Sequence, residues 1–350
     1  MPLICHEGVA TPQILDFLEL AGLERPRSLR RYRTESEAIA QAQACGARGS
    51  RIAYYFPPPA GADAPEMLLV PIALYGLLNN KARLGELVPG PHVPRRSFVP
   101  PAEIAGLRVR PPERPVFLKA AVDGATGGGK DLRYCATASD WENAIDWFLS
   151  ERDHLAGLIV EDAIPVASTW CLSFAVLPEA CVFLGAAEQI FSSIGIQSGS
   201  RIDPSNPPPE EATAICRTIA DKARALGYLG ICGFDVGADA EGRILVFDLN
   251  FRMNGSTPHV LMHSAAAART GGRVSQSFAS PLSGPLSETL ARLRPRVEQG
   301  RAIPLRIFDG ALADTPDSPS FISGLVLAED GPRAAELERE ISELLAPAST

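Results

Sequence analysis

The stretch from Gly233 to Arg252, GFDVGADAEGRILVFDLNFR, constrains the fold more than any other part of the chain. Two alternating runs flank the turn-forming residues Asp239 to Gly242, which predicts a β-hairpin. Side chains alternate faces along a strand, so Leu245, Phe247 and Leu249 are expected to point one way and Asp248, Asn250 and Arg252 the other. On the first strand Asp235 sits between Phe234 and Val236, and hairpin pairing could bring it beside Asp248. Two carboxylates and an amide oxygen are hard ligands, of the kind that hold Mg²⁺ together with phosphate and water oxygens. Arg252 adds a planar cation suited to a phosphoryl group. A solvated strand face would carry the same residues, so the segment alone leaves both readings open.

The rest of the composition narrows the class. At 350 residues, with 46% hydrophobic and 21% charged content, the chain can build two or three domains or one multi-lobed enzyme around a sizeable core. A net charge of −8 and the lack of a basic run argue against nucleic acid or an anionic membrane as partner. No apolar run approaches the roughly 20 residues of a membrane span. The first 25 residues lack a basic segment followed by an apolar one, so a cytoplasmic location is expected. Seven cysteines, scattered singly with no C-x-x-C pair, read as reduced and mostly buried thiols. Small molecules are the default partners, and whether the chain acts alone or as a homodimer is left open.

Of the 33 basic residues only four are lysine, at 81, 119, 130 and 222, so each lysine marks a place where arginine was not used. Thr34 to Ala44 opens with a capping-box pattern, Thr34 to Glu37, and predicts a helix, while Arg51 to Phe56 predicts a short strand. Residues 76–88 have helical spacing and carry Lys81. A proline-bounded strand, Val116 to Leu118, ends on Lys119 and leads into the glycine-rich loop 123–131 and a second strand, LRYCAT. Further on come a helix from Trp141 to Leu149 and a strand, Gly157 to Val160, running into Glu161-Asp162-Ala163-Ile164. Residues 170–191 read as two strands and Glu210 to Leu226 as the clearest helix. Beyond the hairpin, a helix at 286–299, a strand at 320–328 and a helix at 333–345 are expected. Lys222, on the long helix, looks like plain surface, and Arg95-Arg96 reads as a surface pair.

Taken in order, Lys81, strand-borne Lys119 with its glycine loop, the strand ending in Glu161-Asp162-Ala163-Ile164, then Asp235 and Asp248-Leu-Asn250-Phe-Arg252, the chain resembles the ATP-grasp superfamily over about residues 76–265. That superfamily includes biotin carboxylase and the D-alanine–D-alanine ligases. The resemblance implies an α/β fold with an N-terminal pre-ATP-grasp α/β domain (1–105) and two lobes gripping ATP. These would be a small lobe with a glycine-rich flap (106–165) and a large lobe with the metal site (166–275), followed by a C-terminal α/β segment (276–350).

It also implies roles. Lys119 and Lys81 would bind the ATP phosphates, and Gly124, Gly127, Gly128, Gly129 and Lys130 would form the flap, whose backbone N–H groups cover them. Backbone groups of Asp162 and Ala163 would pair with the adenine, with Glu161 opening that segment. Asp235, Asp248 and Asn250 would hold Mg²⁺ or Mn²⁺, and Arg252 with Lys119 would spread charge over the transferring phosphoryl group. Such enzymes form an acyl phosphate from a carboxylate and ATP, release ADP, and let an amine take the acyl group. An ADP-forming carboxylate–amine ligase acting on amino acids or peptides is therefore expected. A bicarbonate-using carboxylase and a non-catalytic ATP sensor are the alternatives.

Two departures stand out. Family members usually carry a glutamate beyond the hinge for the ribose hydroxyls, whereas this chain has PVASTWCLS there, which leaves Ser168 or Thr169; and Asp131 stands where the flap often has glycine. Gly124 to Lys130 also fits most of a P-loop, but Asp131 replaces the required Ser or Thr and a strand-like segment follows. His259 and His263 share a helical face without the Glu of a zinc motif, and read as pocket or surface histidines. Glu188, Gln189, Ser256 and His259 are the candidate substrate contacts.

Overall fold

The computed structural model describes residues 2–55, 67–122, 131–151, 155–315 and 317–346. The glycine loop with Gly124, Gly127, Gly128, Gly129 and Lys130 lies outside them. The chain opens with β1 (Leu3–His6), α1 (Pro12–Leu20), β2 (Leu29–Tyr32) and α2 (Glu35–Gly46), β1 and β2 pairing in parallel. The Thr34 hydroxyl accepts from the Glu37 N–H at 3.3 Å, the helix cap its sequence predicts. In place of the strand expected at 51–56 there is an isolated bridge, Ile52 to Leu68, among the described residues. Helices α3 (Ile72–Asn79) and α4 (Leu84–Leu87) flank a single 3₁₀ turn that carries Lys81.

Next come β3 (Arg96–Val99), β4 (Val116–Ala121), β5 (Leu132–Cys135), α5 (Ala138–Ser150) and β6 (Gly157–Asp162). The four strands form one sheet in the order β3-β6-β4-β5. It is covered by α5, whose Trp141, Ile145 and Phe148 are fully buried against Leu118 and Leu158. β3 belongs to this sheet although it precedes residue 105, so a boundary there falls between two strands of one sheet.

The remaining elements are β7 (Val166–Val176), β8 (Cys181–Ser193), β9 (Ile196–Ile202), α6 (Glu210–Ala225), β10 (Gly230–Asp239), β11 (Ile244–Asn250), α7 (Thr257–Thr270), β12 (Val274–Leu282), α8 (Leu286–Glu298), β13 (Ala302–Phe308), β14 (Ser320–Ala328) and α9 (Gly331–Leu345). Eight strands form one antiparallel sheet in the order β11-β10-β7-β8-β9-β12-β14-β13. On one side of its first half, α6 buries Ile215, Ile219 and Ala223 against Leu172, Phe174 and Phe234. Each buried Ile, Leu or Phe side chain there contributes roughly 1.5–3 kcal/mol by leaving water. The C-terminal strands share a core with α8, α9 and α1, so Phe17 packs with Leu290 and Ile303 across almost the whole sequence.

Six of the seven cysteines are buried, and all are free thiols, as their spacing suggests. Among the described residues no helix is long and apolar enough to cross a membrane.

Candidate active site between the two sheets

Strands β10 and β11 pair so that Asp235 faces Asp248 and Gly233 faces Asn250. The register then slips and leaves Phe247 as the extra residue of a β-bulge. This corrects the alternation expected for the strand: Ile244, Val246 and Leu249 enter the core with Phe234 and Val236, whereas the Phe247 ring lies against Gly237 on the other face. A Cβ at position 237 would collide with that ring, so glycine is needed there. The bulge has a second effect, because the Phe247 carbonyl accepts from Lys119 Nζ at 3.1 Å and ties the two sheets together.

Lys119 is buried within β4, and its ammonium also donates to Glu161 Oε1 at 2.5 Å. Glu161, only 1% exposed, holds the cation in place. Arg96, opposite Glu161 in the β3–β6 register, brings a guanidinium nitrogen to 3.4 Å from its second oxygen. Arg96 is thus no surface pair with Arg95. Its Nη1 and Nη2 are covered yet make no hydrogen bond, an arrangement that costs free energy unless an acceptor arrives. Sequence spacing gives no signal for it, since strand β3 has only four residues and its partner β6 lies far along the chain.

Lys81 lies against both oxygens of Asp248, at 3.0 and 3.1 Å, and 3.5 Å from Asp131. Asp131, the residue where the family often has glycine, thereby shares this cation. Burial pushes the Asp248 carboxyl up, but the ammonium groups of Lys81 and then Lys119 outweigh it and hold the carboxyl below its usual range. For Asp235 the balance is reversed: burial, then the Asp248 charge beside it, outweigh the Lys81 ammonium and push it up to about 7. A buried like-charged pair of this kind calls for a cation, and with Asn250 it forms an oxygen set that suits Mg²⁺ supplemented by phosphate and water. Among the described residues no group of three His, Cys, Asp or Glu is disposed to hold a metal, so protein carboxylates alone would not suffice.

Asn250 Oδ1 also accepts from Arg252 Nη2 at 2.7 Å, and Arg252 Nη1 donates to the Met253 carbonyl at 3.1 Å. The buried Asn79, at the end of α3, locks this strand end to the element bearing Lys81: its Oδ1 accepts from the Phe251 N–H and its Nδ2 donates to the Tyr75 carbonyl, both at 2.9 Å. Asn79→Ala should lower stability by about 1–3 kcal/mol, because the Phe251 N–H is left buried without an acceptor. Urea unfolding measures this, and an unchanged midpoint would exclude the role.

In the hinge the backbone N–H groups of the two residues expected at the adenine are engaged within the fold. The Asp162 N–H donates to the Arg95 carbonyl at 2.9 Å and the Ala163 N–H to the Pro115 carbonyl at 3.0 Å, so neither donor is available to a base. The cause is tertiary: the segment is clamped between β3 and β4. Of the ribose candidates, Thr169 lies beside Gly237 on the Phe247 face, while Ser168 alternates to the face of the buried Trp170.

The candidate substrate residues divide similarly. Gln189 pairs with Gln197 at 3.3 Å and reaches Asp235, whereas Glu188 alternates to the opposite face. Cys171, next to Asp235 across the β7–β10 pair, accepts from Asn254 Nδ2 at 3.0 Å. His259 is buried, its Nδ1 2.8 Å from Ser200 Oγ and its Nε2 2.7 Å from Ser275 Oγ, and His263 Nδ1 lies 2.7 Å from the same Ser275 oxygen. The two histidines thus share a serine. Lys222 was expected to be plain surface, yet it donates to the Leu87 carbonyl at 2.8 Å and ties α6 to the end of α4.

Comparisons with known proteins bear on the family and the fold. A family model described as the ATP-grasp region of L-aspartate–L-methionine ligase matches residues 94–250, and one described as the N-terminal domain of the same ligase matches residues 1–76. Among solved structures, L-amino acid ligase from Bacillus licheniformis superposes with a TM-score of 0.59 at 14% identity, covering 97% of this chain and 96% of that one. N5-carboxyaminoimidazole synthetase from Staphylococcus aureus, complexed with ADP, gives 0.61 at 13% identity over 91% and 86% of the two chains. The corresponding synthase from Aspergillus clavatus, with ADP and 5-aminoimidazole ribonucleotide, gives 0.56 at 11% identity over 98% and 91%. At such identities these structures share the fold.

Proposed function

We propose, given that this chain belongs to the ATP-grasp superfamily and is an ADP-forming ligase of a carboxylate to an amine, that the carboxylate is supplied by L-aspartate and the amine by L-methionine. The observation that carries the chemistry is the meeting of Lys81, Lys119 and Arg252 around the Asp235–Asp248 pair, brought together from three distant stretches. The substrate pair rests on the two family descriptions, which between them cover residues 1–76 and 94–250.

In this reading ATP lies between the sheets. Lys119, Lys81 and the unsatisfied guanidinium of Arg96 face its phosphates, with Glu161 positioning the first and third. Among the described residues the Ile164 N–H has no backbone acceptor, and it replaces the Asp162 and Ala163 donors at the adenine. Thr169 takes the ribose. Asp235, Asp248 and Asn250 would hold Mg²⁺, which would offset charge on the ATP phosphates.

A carboxylate oxygen of aspartate attacks the γ-phosphorus and ADP leaves. The methionine amine then attacks the acyl carbon, loses a proton, and inorganic phosphate departs. Arg252, its plane fixed by Asn250 and Met253, is aimed to stabilise charge on the phosphoryl oxygens. Enclosure between the sheets keeps water from the acyl phosphate.

Incubation with ATP, Mg²⁺, L-aspartate and L-methionine should release ADP and phosphate and yield a species of dipeptide mass, and omission of either amino acid should suppress ADP release. ADP formation independent of both amino acids, or no ADP formation while ATP still raises the melting temperature, would sink the substrate assignment.

A further inference from the structure

A groove of about 210 Å³ lies on the far side of Ser256 from the Asp235–Asp248 pair, between β9, the start of α7 and the C-terminal strands. One charged residue lines it, Arg306 on β13. The guanidinium is steadied at its root: Nε donates to Ser323 Oγ at 3.2 Å, and the group sits 5.3 Å from the centre of the Phe321 ring. No carboxylate pairs with it among the described residues.

His259 also lines the groove, but its place between Ser200 and Ser275 in a dry interior favours the neutral imidazole, its pKa lowered to about 3 by burial and then by the neighbouring His263. The hydroxyls of Ser200 and Ser277 are engaged with each other and with the Ser200 N–H, so that wall is already organised. Leu305 and the exposed Ala279 supply an apolar side. The groove therefore offers one cation, neutral hydroxyls and apolar surface.

Its position supplies the rest. Ser256, a wall of the groove, donates its N–H to Asn254 Oδ1 at 3.1 Å, and Asn254 Nδ2 donates to the thiol of Cys171 at 3.0 Å, the residue opposite Asp235 in the β7–β10 register. A ligand anchored at Arg306 would therefore point its other end toward the reacting centre.

We propose that this groove is the site of the amine-donating amino acid, with Arg306 binding its α-carboxylate and Leu305 and Ala279 holding an apolar side chain. The chemistry favours the amine substrate over the activated one. Its carboxylate takes no part in the reaction and must be held away from the acyl phosphate, which it would otherwise attack. An unbranched thioether chain suits an apolar wall, whereas aspartate has a single methylene to bury. This inference rests on the ligase reading with methionine as the amine.

The test compares wild type with Arg306→Met, each saturated with Mg-ADP, in calorimetric titrations with L-methionine and with L-methioninol, which lacks the carboxylate. The variant should bind L-methionine roughly ten- to a hundred-fold more weakly, the value of one charge-assisted bidentate contact, and should bind L-methioninol as the wild type does. Arg306→Lys should recover part of the loss. In turnover, KM for methionine should rise while those for ATP and aspartate stay put.

Equal loss for both ligands, an unchanged methionine affinity, no methionine binding by the wild type, or a rise confined to the aspartate KM would each overturn the assignment. A wild type that binds methionine but releases no ADP with the pair is a different result, which removes the ligase reading and leaves the groove's ligand standing.

Discussion

Replacing Asp248 by asparagine is expected to lower kcat/KM for ADP formation by roughly 10²–10³-fold while the chain stays folded. The substitution keeps the shape and removes one of two facing carboxylate charges, so the phosphates lose the cation that those charges hold and Lys81 loses its partner at 3.0 Å. The same change has a second signature. Asp235 binds a proton up to about pH 7 in the fold because it is buried and faces Asp248, whereas in the unfolded chain it ionises near 4. Between these values the folded state holds more protons than the unfolded one, so metal-free stability falls as pH rises through that window. In Asp248→Asn the neighbouring charge is gone, and the fall should be smaller. Activity at the wild-type level, or an unchanged pH slope in thermal unfolding without metal, would show that the carboxylates do not act as a pair.

Lys119→Ala should affect nucleotide binding and stability together. ATP affinity is expected to drop by roughly ten- to a hundred-fold for loss of a buried charge-assisted contact. Stability should fall by roughly 3–5 kcal/mol, because the almost fully buried Glu161 carboxylate would be left with Arg96 alone. Adding Glu161→Gln to that variant should restore much of the stability and none of the affinity. Calorimetric ATP titration with thermal unfolding separates the two, and an ATP affinity equal to the wild type's would remove Lys119 from the phosphate site.

Much of this site is legible in the order of the amino acids. The hairpin alternation places Asp235 opposite Asp248 because both strands are local and joined by a short turn. The rarity of lysine points to Lys81 and Lys119, both of which converge on that hairpin. The bulge at Phe247 is not legible, since one extra residue leaves no mark in a pattern of period two until the partner strand is known. Nor is the occupation of the Asp162 and Ala163 N–H groups, because their acceptors, the Arg95 and Pro115 carbonyls, depend on which strands flank β6.

What the amino-acid order determined by itself is the local chemistry: alternation, caps, turns and the residue types that suit phosphate and metal. Which cations share a carboxylate was decided by the tertiary structure alone. Arg96 meets Glu161 because the order β3-β6-β4-β5 pairs their strands, Asp131 meets Lys81 where β5 begins, and Arg306 comes to a groove walled by β9 and α7 because the order β11-β10-β7-β8-β9-β12-β14-β13 sets distant segments side by side. Periodicity reports which face a side chain takes, and only the order of strands reports what stands across from it.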